Sequence, residues 1–556
     1  MIVSRYIIPV DKKDDYKDKS CIYYTEDLYK NTDKFTSFIG SLPSLSSREC
    51  QFLYFESDNL ENTNTILHSL YLLSFQNFHT FVKFKNEKND YLEGYAGKLY
   101  AELNPVFCIL PWNHIQYKPS GQSKLCCRYD IVHEYELYKS NSDSKVVKLF
   151  QQREKKLTIQ KSSIKDTFHS EYWNTARHSI TLNEEIPGCH KCYKEEKNSE
   201  IIPMSMRLGM NIVYNQGYLH KKVNSSFPKI EFLEIGFGNY CNMACLTCNS
   251  NLSTTWYEDE IKINEIVDDS LKREVFPKLE NLQFDLDPET LTTLKTIKFT
   301  GGEPMINPEF VKFIDLICNE GYPENISLEI YTNCSYIPSH KLINNLARFK
   351  EVQLNLSIDA YGIKNDYIRY GSKWTSDSKH SVSKSIDFYL NFSKTHRNIH
   401  VILSATLSVL NILEMPHLIE SWMDRYINSG NEIIAFRKTL LPSEHEGFFK
   451  IQPAFDPSYL NPNILPNHYY NDVTDWINDY RSNFLNKYPN LEGIPQCINF
   501  SLSKLSNIIN KSKGNVDLSK KFVNYIQSID KIRNQSITES LPDIEEKISN
   551  FIQNNS

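Results

Sequence analysis

From residue 228 to 445, short β-rich runs alternate with longer segments whose apolar residues recur at helical spacing. The strand candidates are IEFLEIGF (230–237), IKFTG (297–301), SLEIYTN (327–333), VQLNLSID (352–359), HVILSATLSV (400–409) and EIIAFRK (432–438). Between them lie FVKFIDLICNEG, a long stretch around SVSKSIDFYLNFSKT, and LEMPHLIESWMDRYINSG; glycine closes the first and third as a helix stop. Strands separated by helices are joined by crossovers and run parallel, so the pattern predicts an α/β fold around a parallel sheet. Six such units form a partial barrel or a doubly wound sheet. Either one gathers ligands at the C-terminal ends of its strands.

Directly after the first of these strands stands EIGFGNYCNMACLTCNS, which holds Cys241, Cys245 and Cys248 as C-x3-C-x2-C. Three thiolates on one short loop can hold three irons of a four-iron cluster. The fourth iron is then open to bind and reduce another molecule. Structural zinc instead takes four ligands, usually as two close pairs. No His or Cys follows the triplet at finger spacing, and Cys318 lies in an apolar run that reads as a buried helix. The triplet therefore favours an iron–sulfur cluster over zinc.

The chain has 13 cysteines in 556 residues, too dilute for a disulfide scaffold. Cys108, Cys126, Cys127, Cys189 and Cys192 form a second group, in FCILPWNHIQYKPSGQSKLCC (107–127) and EEIPGCHKCYKEEKNSE (184–200). One cysteine, an adjacent pair of which one binds, and a C-x2-C pair make four ligands. Four thiolates suit a closed cluster or structural zinc, and spacing alone leans to zinc. Cys21, Cys50, Cys318, Cys334 and Cys497 are dispersed and read as small buried hydrophobes.

The next motif is GGEP, Gly301, Gly302, Glu303 and Pro304, at the end of the second strand candidate. Two glycines let a ligand or the backbone approach closely, and by itself the run is equally a turn. One βα unit after C-x3-C-x2-C, the combination resembles the radical S-adenosylmethionine (SAM) superfamily. The resemblance implies that Cys241, Cys245 and Cys248 hold a [4Fe-4S] cluster and that the amino and carboxylate groups of SAM chelate its open iron. The GGE segment would support the methionine amino group. Reductive cleavage of SAM would give a 5′-deoxyadenosyl radical that takes hydrogen from a substrate.

Further segments match that family by position. YTNC (331–334) supplies Asn333, and NLSIDA (355–360) supplies Ser357 and Asp359 near the SAM ribose and methionine. NDYIRYGSKW (365–374) supplies Arg369, placed to pair with a carboxylate such as that of SAM. Without the family, Ser357 and Asp359 can be helix N-caps, and Arg369 a surface ion-pair residue. Leu407 and Val409 can face adenine or pack in the core. Thr247 departs from the family, where many members carry an aromatic that packs on adenine. Cys334 can serve as a hydrogen donor, though a neutral small residue is the simpler role.

The second cysteine group resembles the auxiliary-cluster segments of SPASM and twitch domains: C-x2-P-W, a glycine turn, C-C, then C-x2-C-x2-E. That shifts the expectation there from zinc to an auxiliary iron–sulfur cluster. In well-known members the domain follows the barrel; here it precedes it. The whole chain resembles uncharacterised twitch-domain-containing radical SAM proteins. The resemblance implies an auxiliary cluster that accepts an electron or binds the substrate. It also implies a peptide, protein or small-molecule substrate and an electron donor such as a flavodoxin or ferredoxin.

The expected organisation is an α+β region of unknown role (1–100), a twitch/SPASM-like domain (101–225), a partial (βα)6 radical SAM barrel (226–445) and a mostly helical C-terminal region (446–556). A formal net charge of −6 gives no reason to expect nucleic acid. No apolar run reaches the roughly 18 residues that span a bilayer, and MIVSRYIIPVDKKDD is too short in apolar residues for a signal peptide, so no membrane contact and a cytoplasmic location are expected. The rival class is a non-catalytic iron–sulfur electron carrier or a zinc-stapled interaction protein. A narrower one makes residues 1–100 a substrate-recognition domain.

Overall fold

The computed structural model describes the strands within residues 2–95, residue 101, residues 105–138, 157–198, 205–215, 228–431 apart from 280 and 376–380, and 448–555 apart from 455 and 492. Residues 1–100 contribute β1 (Ile2–Pro9), β2 (Tyr23–Tyr24), β3 (Glu49–Glu56), β4 (Thr80–Lys85) and β5 (Tyr91–Tyr95), in one sheet of order β2-β1-β3-β4-β5. The apolar run ILHSLYLLSF lies outside the described residues.

The remaining chain builds one α/β unit around an eight-stranded, largely parallel sheet. Its strands are β6 (His114–Tyr117), β7 (Ser123–Lys124), β8 (Phe232–Ile235), β10 (Thr296–Phe299), β11 (Ser327–Thr332), β12 (Glu351–Ser357), β14 (Ile399–Leu407) and β15 (Phe449–Pro453). Two further two-residue strands, β9 (Ala244–Cys245) and β13 (Arg369–Tyr370), pair with each other. Along the sheet the order is β15-β14-β12-β11-β10-β8-β6-β7. From β8 to β15 the order follows the sequence with no reversal, whereas a doubly wound sheet reverses at a switch point. Parallel crossovers are right-handed almost without exception, so a one-way order stacks the connecting helices on a single face.

Five of the expected strands are present, with their ends shifted by at most two residues. EIIAFRK (432–438) lies outside the described residues, and β15 takes the sixth parallel position, beside β14. That strand was not expected after residue 445, because FKIQP is short and ends on proline. At the other edge β6 pairs parallel to β8. The sheet is thus continuous across both 225/226 and 445/446.

The helices needed to place the site are α1 (Ile131–Tyr138), α2 (His190–Lys197), α3 (Met206–Asn215), α4 (Trp256–Ile266), α5 (Pro308–Glu320), α6 (His340–Leu346), α7 (Ile363–Ile368), α8 (Val382–Thr395), α9 (Met415–Asn428) and α10 (Val516–Arg533). Helix α5 shows why they form. The Asn307 side chain accepts from the Glu309 amide at 2.9 Å and Pro308 occupies the first turn. Phe310, Phe313, Ile314, Ile317 and Cys318 then recur on one buried face. Burying each large apolar side chain contributes about 1.5–3 kcal/mol.

The two faces of the sheet differ. Leu233, Ile297, Leu328 and Val352 share one row and face the apolar core. One residue further along each strand, on the opposite face, Gln116, Glu234, Lys298, Glu329, Gln353 and His400 lie in register.

Helix α10 closes over α4. Arg533 Nε donates to Asp259 Oδ2 at 2.9 Å, and its guanidinium lies 4.4 Å from the ring centres of both Trp256 and Tyr370. Removing it by Arg533→Ala deletes both ring contacts and leaves Asp259 unpaired. The expected loss is about 3 kcal/mol, read by denaturant unfolding. Among the described residues no helix is long and apolar enough to cross a membrane.

Candidate functional site

The loop that leaves β8 carries Cys241, Cys245 and Cys248 and is fixed almost entirely through its backbone. Trp256 Nε1 donates to the Cys245 carbonyl at 2.9 Å, Arg273 Nη1 to that of Cys248 at 3.1 Å, and Thr255 Oγ1 to that of Cys241 at 2.7 Å. The Cys248 amide donates to the Cys245 carbonyl at 2.9 Å. Backbone groups are thus satisfied, and the thiols make long contacts, Cys248 Sγ to the Asn249 carbonyl at 3.7 Å and Cys241 Sγ to Asn333 Nδ2 at 3.8 Å. The charges of Cys245 and Cys241 bear on Cys248, so the three thiols are neighbours. Burial raises all three above the ordinary thiol value, Cys241 to about 12. As thiolates they need a compensating positive centre. Among the described residues, no three His, Cys, Asp or Glu side chains are drawn together as ligands of a single metal ion.

Two neighbouring loops brace this one. Gly302 has φ +62°, and a Cβ there would lie 2.5 Å from the Tyr240 carbonyl oxygen; Gly301 has φ +78°, with a Cβ 2.4 Å from Pro119 Cγ. Only glycine lets the GGEP backbone lie against the residue before Cys241. Gly302→Ala therefore costs about 1–2 kcal/mol for the left-handed backbone and a further ~1–3 kcal/mol for a clash with main chain that cannot rotate away. A lowered melting temperature is the readout.

The Glu303 amide donates to the Tyr240 carbonyl at 2.9 Å. Its buried carboxylate accepts from the Asn333 amide (2.6 Å), Thr332 Oγ1 (2.9 Å) and the Met305 amide (3.0 Å). Burial nonetheless pushes it up to about 7. Pro304 is buried and starts the turn Pro304–Ile306. Asn333 Nδ2 donates to Asn242 Oδ1 at 3.0 Å and lies 3.8 Å from Cys241 Sγ. Asn242 Nδ2 in turn donates to Ser335 Oγ at 2.9 Å.

The third element comes from β12 and β13. Ser357 ends β12, half-buried and in register with Ser404. Asp359 is fully buried: Oδ1 accepts from the Thr406 amide at 2.7 Å and Oδ2 from Arg369 Nη1 at 2.9 Å. Helix α7 begins at Gly362 with no side-chain cap, so neither Ser357 nor Asp359 is its N-cap. Arg369 is buried, not a surface ion-pair residue, and the protein carboxylate it meets is Asp359. Pairing of β13 with β9 sets Arg369 opposite Cys245, and its Nε is buried without a partner. Leu407 and Val409 are fully buried in the core. Cys334 is fully buried at φ +60°.

The second cysteine group is organised separately. The Phe107 carbonyl, next to Cys108, accepts from Arg207 Nη1 at 2.7 Å and Asn211 Nδ2 at 2.9 Å, and the Ile109 amide donates to Asn211 Oδ1 at 2.8 Å. Arg207, in α3, is paired with buried Glu196 of α2, through Nε at 3.0 Å and through Nη2. Glu196 lies four residues after Cys192, so one ion pair ties the Cys108 loop to the C-x2-C helix. Between Cys126–Cys127 and Cys189, the Asp130 amide donates to the Gly188 carbonyl at 2.8 Å, Lys191 pairs with Asp130 at 2.9 Å, and the His133 and His190 rings are 3.9 Å apart.

Sequence reasoning missed several of these residues. It singled out neither acid after Cys192: Glu195 meets Arg128 near the surface, and buried Glu196 forms the tie with Arg207. It also missed the polar row on the sheet. The signal was a charged or amide residue at alternate positions of successive strands, as in FLEI, TIKF and SLEI.

No protein-family model matches the sequence. An uncharacterised protein of Methanocaldococcus jannaschii, MJ0907, is 29% identical over 132 residues, 24% of this chain and 39% of that protein. Among solved structures, native anSMEcpe with bound AdoMet and Cp18Cys peptide matches at TM-score 0.27 and 14% identity, over 47% of this chain and 62% of that one. Streptococcus suis SuiB matches at TM-score 0.28 and 12% identity, over 64% of this chain and 60% of that one. The chain thus spans less than two thirds of each. The functional reading rests on the residues of the site.

Proposed function

We propose that the protein is a radical SAM enzyme. In this reading Cys241, Cys245 and Cys248 hold a [4Fe-4S] cluster, and Cys108, Cys189, Cys192 and one of Cys126 and Cys127 hold an auxiliary one. The observation that carries the reading is convergence: GGEP, Asn333 and the Asp359–Arg369 pair, from three different βα units, all meet the loop of the three thiols. A one-way parallel sheet of six strands supports a partial (βα)6 barrel, with the site at the strand ends where such folds keep their ligands. The residues fit the group in kind. Three buried thiols want a positive centre, and the orphaned Arg369 Nε wants an acceptor.

When bound, the cluster and SAM supply one-electron cleavage of the sulfonium to a 5′-deoxyadenosyl radical, which takes hydrogen from a peptide, protein or small molecule. The chain's own residues prepare that chemistry. Gly301 and Gly302 bring main chain up to the cysteine loop, and Glu303 locks that loop to Asn333. Asp359 holds Arg369 beside Cys245, where its positive charge offsets thiolate. Arg273 and Trp256 hold the loop through its carbonyls, and Arg533 of α10 packs on Trp256. A flavodoxin or ferredoxin would deliver the electron.

The test is anaerobic reconstitution with iron and sulfide, then dithionite and SAM. Formation of 5′-deoxyadenosine is expected. Its absence from protein with a full iron load would overturn the proposal in favour of an electron carrier.

A further inference from the structure

We propose that Cys126, and not its neighbour Cys127, completes the four-thiolate set with Cys108, Cys189 and Cys192, while Cys127 stands outside it and faces the polar row of the sheet. The assignment rests on reading this group as an iron–sulfur site.

Cys126 and Cys127 follow β7 and stand at a turn. The surroundings of the two thiols show which way each is turned. The charges that bear most on Cys126 are those of Cys127, Cys189, Cys192 and Cys108, the whole of the remaining group. Those that bear most on Cys127 are Glu234, Lys298, Lys124 and Arg128. Glu234 and Lys298 are neighbours in the polar row, on β8 and β10. Lys124 is opposite Gln116 of the same row, and its Nζ donates to the Cys127 carbonyl at 3.1 Å.

Packing agrees. Cys126 and Cys189 both lie against the apolar core, which Cys108 joins; Cys127 is not in contact with it. The ties from Asp130 to Gly188 and Lys191, with Tyr129 filling the space where Gly188 lacks a Cβ, hold the Cys126 turn over the C-x2-C segment. The row that Cys127 faces has buried polar atoms without partners, Glu329 Oε2 and Gln116 Oε1. Cys127 therefore borders a polar interior surface and stays outside the ligand set.

The test counts iron and acid-labile sulfide in reconstituted full-length chains, with electron paramagnetic resonance after dithionite. Wild type is expected to hold about eight irons per chain. Cys127→Ala should keep about eight and both resonance signals, whereas Cys126→Ala should fall to about four. The same pair is repeated in a Cys241→Ala, Cys245→Ala, Cys248→Ala background, where only the second group can contribute. Loss of about four irons from Cys127→Ala, or full retention by Cys126→Ala, would overturn the assignment. The first arm is judged on a retained signal, so misfolding of the Cys126 variant does not rescue it. If the triple background itself binds no iron, or binds zinc, the auxiliary-cluster reading fails, and that failure is distinct from a wrong choice between the two cysteines.

Discussion

Changing Cys241, Cys245 and Cys248 together to alanine should remove about four of about eight irons and leave the second group's share in place. Formation of 5′-deoxyadenosine should fall to the level of a protein-free control. The effect is this large because the loop offers nothing in exchange. Its backbone carbonyls are taken by Trp256, Arg273 and Thr255, and the amides Asn333 and Asn242 beside it are hydrogen-bonded to each other and to Ser335. Neutral amides cannot replace thiolates as ligands of iron. The fold itself should survive, because those same backbone bonds hold the loop without the sulfurs. A far-ultraviolet circular dichroism spectrum like that of wild type is expected beside the loss of iron. Retention of all the iron would sink the assignment of the triplet.

Asp359→Ala is expected to have the largest effect on stability. The carboxylate is fully buried and serves two elements at once, the Thr406 amide on β14 and Arg369 on β13. Its removal leaves a buried guanidinium whose Nε already lacks a partner. Breaking a buried pair from one side costs about 3–5 kcal/mol, since the remaining charge has no water to return to. Urea unfolding should show that loss. Adding Arg369→Met to Asp359→Ala should recover a large part of it, because the uncompensated charge is then gone. The double variant should nonetheless fail to cleave SAM, which separates the pair's structural role from its proposed place at the cofactor. Equal stability of Asp359→Ala with and without Arg369→Met would show that the uncompensated guanidinium is not what costs stability.

The parts of the fold and site that were legible in the sequence share one property: they are local. The alternation of strands and helices, the three cysteines on one loop and the paired glycines are each written within a few residues. The glycines answer a local backbone requirement, φ +78° at Gly301 and +62° at Gly302. The C-terminal strand Phe449–Pro453 was missed because its assignment depends on the partner beside it, Ile399–Leu407, and not on its own five residues. Glu196 was missed because spacing does not reveal which of two adjacent acids turns inward.

Sequence by itself therefore determined the α/β class and which segments carry sulfur. Tertiary structure decided the rest. The unreversed strand order separates a singly wound sheet from a doubly wound one. The meeting of GGEP, Asn333 and the Asp359–Arg369 pair on the cysteine loop brings together residues up to about 130 positions apart. The different surroundings of Cys126 and Cys127 exist only because the sheet carries Glu234 and Lys298 past one of them. The physical reason is the same in each case. Covalent neighbours set backbone geometry, but the charge, burial and partners that give a side chain its chemistry come from residues the chain reaches only by folding.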